Sequence, residues 1–282
     1  MEAKQGRIER GKTDTRVIVI ASGKGGVGKT TITANLGMSL ARLGKQVILI
    51  DADVGLRNLD LLLGLERRMI FSATEVFAGE CLLEQAFVRD KRLENLYLLA
   101  LSRTRQRYNV SQQNMDLLID SLKNRCFDYV LIDAPAGIDT GFLNAITSAT
   151  EAIIVTNPEI TALRDADRAA GVLEATGIYK ISLIVNRVRV DMIKNNDMMS
   201  VRDVQEMVGL PLLAAIPEDR NVIIATNRGQ PIVLRKNLSI SGIAFENAAR
   251  RLIGETDTII NLNKPYKNWF GAVKGFVGNL FF

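Results

Sequence analysis

The chain has 282 residues, 47% of them hydrophobic and 24% charged, a composition that excludes intrinsic disorder, collagen and long coiled coils. A formal net charge of +5 suits anionic partners (nucleotides, anionic lipid or nucleic acid) without choosing among them. The sequence contains 0 histidines, which excludes a Ser-His-Asp hydrolase and a His-ligated zinc enzyme.

Residues 1–16, MEAKQGRIERGKTDTR, read as a solvated polar leader. They lack the apolar stretch of a secretory signal, and Glu2, Glu9 and Asp14 argue against an acid-poor transit peptide. The sequence next alternates short apolar runs with helical patterns. Strands are expected at 17–21, 46–50, 96–99, 129–132, 152–156, 182–185 and 212–216, and helices at 29–43, 112–124, 140–149, 160–176, 200–208 and 241–253. The strands are continuous apolar runs, as in a sheet buried on both faces. This predicts an α/β fold: a doubly wound, mostly parallel sheet with helices on both faces, over residues 16–254. Cys81 and Cys126 form no CxxC pair and read as two free core thiols in a reducing compartment.

The first strand runs into Ser22 and then GKGGVGKT, residues 23–30, which satisfies G-x-x-x-x-G-K-[ST] between a strand and a helix. Gly23, Gly25, Gly26 and Gly28 let the backbone turn several N–H groups toward one anion, with Val27 and Thr31 completing the cradle. Lys29 can reach the β- and γ-phosphates, and the Thr30 hydroxyl can ligate Mg²⁺. The second strand ends at Asp51, with Asp53 two residues on, and the strand at 129–132 ends at Asp133. Strand ends line the ligand crevice of such a sheet, so these carboxylates are expected beside the γ-phosphate and the metal, Asp133 as a metal-holding residue. Gly137 offers an unobstructed backbone N–H.

The end of the chain differs in composition. Residues 255–264 read as a linker, and 265–282 as an amphipathic helix beginning at Pro265. On it Trp269, Phe270, Val273, Phe276, Val277, Leu280 and Phe281 form one apolar stripe, with Lys267 and Lys274 off it. Gly271, Gly275 and Gly278 weaken the helix in water, so the stripe is expected to order when buried in an anionic membrane surface. No run approaches the roughly 18 apolar residues of a spanning helix.

Together GKGGVGKT, DADVGLRNLDLLLGLERR, DAPAGIDTG, TNPEITALRDADR and IPEDRNVIIATNRGQP make the sequence resemble the septum-site-determining MinD ATPases of the ParA/MinD family, which carry a deviant Walker A. The resemblance covers about 16–254 and the tail, and VNRVRVDMIKNNDMMSVRDVQEMVG is most like members from cyanobacteria and algal plastids. It implies an ATP- and Mg²⁺-dependent ATPase that forms a nucleotide-sandwich homodimer, with Lys24 reaching the partner's phosphates. It further implies that Asp53 orients the attacking water, that Asn58 senses the γ-phosphate and that Asp51 lies behind Mg²⁺. Asn186 would meet the adenine edge, and Pro217 would pack its ring. The implied partners are an anionic membrane surface, a MinC-like division inhibitor and a MinE-like activator, docking near Glu159, Asp165 and Asp167. The implied location is the cytoplasmic face of a bacterial inner membrane or the stromal face of a plastid inner envelope. A ParA-type DNA-segregation ATPase shares the Walker A but needs no lipid tail, and aspartates interrupt the basic residues around 187–202, so no specific nucleic acid is expected. A flagellar-number regulator of the same family is the other alternative. An iron protein of the nitrogenase type would need a cluster-binding Cys after Asp133, and 134–141 contains none.

Overall fold

The computed structural model describes residues 14–54, 57–102, 110–255 and 259. In chain order the first half gives β1 (Arg16–Ala21), α1 (Lys29–Arg42), β2 (Val47–Asp51), α2 (Leu59–Leu63), α3 (Ala73–Phe77), α4 (Leu83–Ala86), β3 (Val88–Arg89) and β4 (Leu96–Ala100). It continues through α5 (Gln112–Lys123), β5 (Tyr129–Asp133), α6 (Thr140–Ile146), β6 (Glu151–Thr156) and α7 (Ile160–Ala175). The last elements are β7 (Lys180–Val188), α8 (Val190–Lys194), α9 (Val201–Val208), β8 (Leu212–Pro217), α10 (Arg220–Asn227) and α11 (Ile240–Leu252). Among the described residues these strands form one sheet in the order β3-β4-β2-β5-β1-β6-β7-β8. Every pairing is parallel except that of β3 with β4.

Alternate strand residues feed two cores. Val17, Val19 and Ala21 of β1 join a cluster with Met115, Ile119, Phe142, Leu163 and Val204, on the side of α5, α6, α7 and α9. Ile18 and Ile20 join Ile32, Leu36, Leu40, Phe245 and Leu252, on the side of α1 and α11. Both faces of β1 are therefore sealed, which is why its sequence is apolar without alternation. Polar caps mark where the longer helices start: Ser111 accepts from the Asn114 N–H, Asp139 from Phe142, and Ser239 from Gly242.

The expected doubly wound sheet is present, with its strands and long helices within a few residues of the expected bounds. Helix α6 stops at Ile146 rather than 149, β7 is longer than 182–185, and the free thiols are not in the core, since Cys81 is half-buried and Cys126 is exposed in the turn after α5. The short helices α2, α3, α4 and α8, the helix α10 and the two-residue β3 were not expected. Elements of four or five residues are too short to display a period. Apart from Glu255 and Ile259, the linker at 255–264 and the whole tail helix at 265–282 lie outside the described residues.

Candidate functional site

The loop after β1 opens at the middle of the sheet, because β1 lies between β5 and β6. Gly26 (φ 78°) and Gly28 (φ 104°) take left-handed backbone, and Gly28 is the residue that caps the start of α1. Gly23 is needed for closeness instead, since a Cβ there would come within 1.9 Å of the Asp165 carbonyl oxygen on α7. The Lys29 side chain is buried, and its ammonium donates to Ser22 Oγ at 2.8 Å. Ser22 Oγ in turn donates to the Lys24 carbonyl at 2.7 Å. Burial pulls the Lys29 pKa down, while Asp133 and Asp53 oppose that pull.

Asp51 and Asp133 are register partners on β2 and β5, and both are buried. Burial pushes Asp133 up to about 6 against the opposing effects of Thr30, Lys29 and Thr33. The Thr33 hydroxyl lies 3.0 Å from the Lys29 carbonyl oxygen and 3.2 Å from Asp133 Oδ1. Asp51 is pushed up to about 7 by burial first and by Asp133 second. It accepts backbone N–H bonds from Asp53 (3.1 Å), Asn58 (3.2 Å) and Leu59 (3.0 Å), so its carboxylate ties down both ends of the following loop. Asp133 pushes the Asp51 pKa up and Asp53 pushes up that of Asp133, which marks a place short of positive charge. Hard oxygen donors on Thr30 and Asp133, with Asp51 occupied by its own loop, match the donor chemistry of Mg²⁺.

The other expected residues fall around this centre. Asp53 is half-buried just past β2, and Asn58 is exposed where α2 begins. Val27 is buried under the loop, the Thr31 carbonyl accepts from Asn35 Nδ2 at 2.9 Å, and Gly137 (φ 92°) follows β5. Lys24 is partly exposed, and its ammonium lies 3.2 Å from Glu159 Oε2 and 3.3 Å from Thr161 Oγ1 at the start of α7. Buried Asn186 donates from Nδ2 to the Val27 carbonyl at 2.7 Å. Pro217 ends β8 and lines a groove of about 220 Å³ with Val188, Arg189, Val190, Asp191, Glu218 and Ile240. Trp269, Phe270, Val273, Phe276, Val277, Leu280 and Phe281 lie outside the described residues.

Sequence reasoning missed Ser22 and Thr33 as partners of Lys29 and Asp133, and missed the contacts of α7 with Gly23 and Lys24. Thr33 lies one helical turn after Thr30, a spacing that puts both on one face of α1 and could have been noticed.

Residues 18–232 match the family model described as CobQ/CobB/MinD/ParA nucleotide binding domain. The septum site-determining protein minD homolog, chloroplastic, of Arabidopsis thaliana is 58% identical over 92% of this chain and 82% of its own length. The MinC:MinD cell division protein complex of Aquifex aeolicus contains a chain 43% identical, with a TM-score of 0.81 over 87% of this chain and 98% of that one. The septum site-determining protein MinD of Pyrococcus horikoshii, solved with Mg-ADP, is 36% identical, with a TM-score of 0.77 over 85% of this chain and 96% of that one.

Proposed function

This chain belongs to the septum site-determining MinD family of nucleotide-binding proteins, and from that premise we propose that it is a Mg²⁺-dependent ATPase that acts as a membrane switch in division-site placement. The observation that carries the reading is the convergence of Lys29 and Asp133, with Thr30 and Thr33 around the carboxylate, on one glycine-rich loop at the centre of the sheet. A relative solved with Mg-ADP and another solved with MinC support it.

In this reading backbone N–H groups of the loop and the Lys29 ammonium bind the β- and γ-phosphates. Mg²⁺, held by Thr30 and Asp133 with Asp51 behind them, supplies positive charge to those phosphates. Asp53 orients the attacking water, and Asn58 and the Gly137 N–H respond to the γ-phosphate. Asn186 and Pro217 hold the adenine. Lys24 gives up Glu159 and reaches the phosphates of the opposite subunit in an ATP-bound homodimer. The domain spans 16–254, and the helix at 265–282 lies flat on an anionic membrane. One such helix binds marginally and reversibly, and two on one dimer bind by avidity. ATP thus drives the protein onto the cytoplasmic face of a bacterial membrane or the stromal face of a plastid envelope. There it recruits a MinC-like inhibitor, and hydrolysis stimulated by a MinE-like activator releases it. Among the described residues no helix is long and apolar enough to cross a membrane.

The test is sedimentation with ATP and Mg²⁺, with and without anionic liposomes. The wild type is expected to dimerise and to pellet with lipid, and Lys29→Ala to do neither. A normal ATP-dependent dimer in Lys29→Ala removes the assignment of the phosphate loop.

A further inference from the structure

Near its end β7 leaves regular register with β8 between Val185 and Val188, and Arg187 there takes a left-handed backbone at φ 54°. Within this irregularity Arg187 is exposed and Asn186 is buried. Asn186 Nδ2 donates to the Val27 carbonyl, 159 residues away in sequence, at 2.7 Å. The same nitrogen stands 2.4 Å from where a Cβ of Gly28 would be, so the amide is pressed against the Gly28 Cα. That contact gives Gly28 a second reason to be glycine, besides its φ of 104°.

The Val27 carbonyl and the Gly28 N–H belong to one peptide unit. The peptide is planar and trans, so the two groups point in opposite directions. With the oxygen held on the β7 side by Asn186, the N–H is turned away from β7. A peptide flanked by glycine is otherwise free to rotate as a unit, and Gly26 and Gly28 both already occupy backbone regions that other residues avoid. We infer that Asn186 is a positioning residue of the phosphate loop: its amide locks the Val27–Gly28 peptide so that the Gly28 N–H faces bound phosphate. This rests on the loop being a nucleotide site and adds a second role to the contact of Asn186 with the base. One side chain then serves both ends of the nucleotide.

Inorganic tripolyphosphate has no base and separates the two roles. Its binding, and that of ATP, is measured by calorimetry on wild type, Asn186→Ala and Asn186→Asp, with melting temperatures as the fold control. Loss of one charge-assisted hydrogen bond predicts about a tenfold or greater loss of tripolyphosphate affinity in Asn186→Ala. Asn186→Asp, which sets a carboxylate against the Val27 carbonyl, is expected to lose at least as much. Variants that lose ATP but bind tripolyphosphate as the wild type does overturn the inference and leave the nucleotide site standing. A wild type that binds neither ligand overturns the nucleotide site itself. A measurement without any variant covers the case of misfolding. In the wild type the Gly28 amide proton is expected to shift downfield and exchange more slowly on adding tripolyphosphate, and an unmoved Gly28 resonance overturns the inference.

Discussion

Lys29 and Asp133 are displaced from their ordinary protonation ranges by the same cause, loss of water, and each partly restores the other. Thr33 supports this pair from within α1. Thr33→Val removes the hydroxyl at nearly constant volume and leaves Asp133 one donor short. About a tenfold loss of Mg²⁺-dependent ATP affinity is expected, in line with a hydrogen bond to a charged group, and titration calorimetry with and without Mg²⁺ measures it. An unchanged affinity would show that Thr33 only packs. Asp53 is held differently, because its own N–H is tied to Asp51 while its carboxylate lies past the strand end. Asp53→Ala is expected to bind ATP normally and to hydrolyse it roughly 10²- to 10⁴-fold more slowly, the usual worth of a positioned base. Phosphate release at saturating ATP decides the matter, and wild-type turnover in the variant ends the assignment of Asp53.

Between elements, two arginines act as ties. Arg92, on the turn between β3 and β4, pairs with Asp90, whose side chain is fully buried, at 2.5 Å. Its guanidinium also donates to the Leu63 carbonyl at the end of α2 (2.8 Å) and to the Gly229 carbonyl just past α10 (3.2 Å). Gly64 (φ 64°) and Gly229 (φ 61°) meet back to back there, closely enough that a Cβ on either would collide with the other's backbone. Arg92→Ala leaves the buried Asp90 carboxylate with backbone N–H donors from 92 and 93 but no cation, and a loss of about 3 kcal/mol is expected in urea unfolding. The second tie joins three strands: Glu151 on β6 pairs with Arg16 on β1 at 2.5 Å and with Lys180 on β7 at 3.0 Å. Burial would raise the Glu151 pKa, yet hydrogen bonds from Arg16 and Lys180 outweigh it and hold the carboxyl below its ordinary value of 4.5. Its stabilisation is therefore complete above that ordinary value and is lost as pH falls through the lower folded value. Glu151→Gln is expected to cost about 2 kcal/mol at neutral pH, and the gap from wild type should close as the medium is acidified below 4.5. A gap that persists in acid assigns the cost to packing. These ties were not visible in the sequence. The strands and the phosphate loop were, because a buried strand writes itself as a contiguous apolar run and the loop as a glycine-rich motif within eight consecutive residues, 23–30. Thr33 with Asp133, Asn186 with Val27 and Lys24 with Glu159 join segments more than ninety residues apart. Those pairings are set by the order of strands in the sheet, which no local pattern records.

At the scale of the whole molecule, α5, α6, α7 and α9 close one core, and α11 closes the other and ends at Leu252, whose carbonyl accepts from Arg16 at the foot of β1. Truncation after Asn263 should therefore leave the fold, ATP binding and ATP-dependent dimerisation intact while abolishing co-sedimentation with anionic liposomes. An aggregated or unfolded product would make the tail a core helix, and undiminished pelleting would place the lipid contact elsewhere. The central place of β1 matters in a different way while the protein is being made. Its neighbour on one side begins at Tyr129, 113 residues later, and its neighbour on the other side begins later still, at Glu151. A ribosome adding about 5–20 residues each second needs on the order of ten seconds to reach them. For that interval the apolar first strand of the nascent chain has neither of its sheet neighbours, and the glycine-rich loop after it has no frame. Nucleotide can therefore help this protein only after roughly half the chain has been synthesised, and until then the exposed strand is a natural client for chaperones.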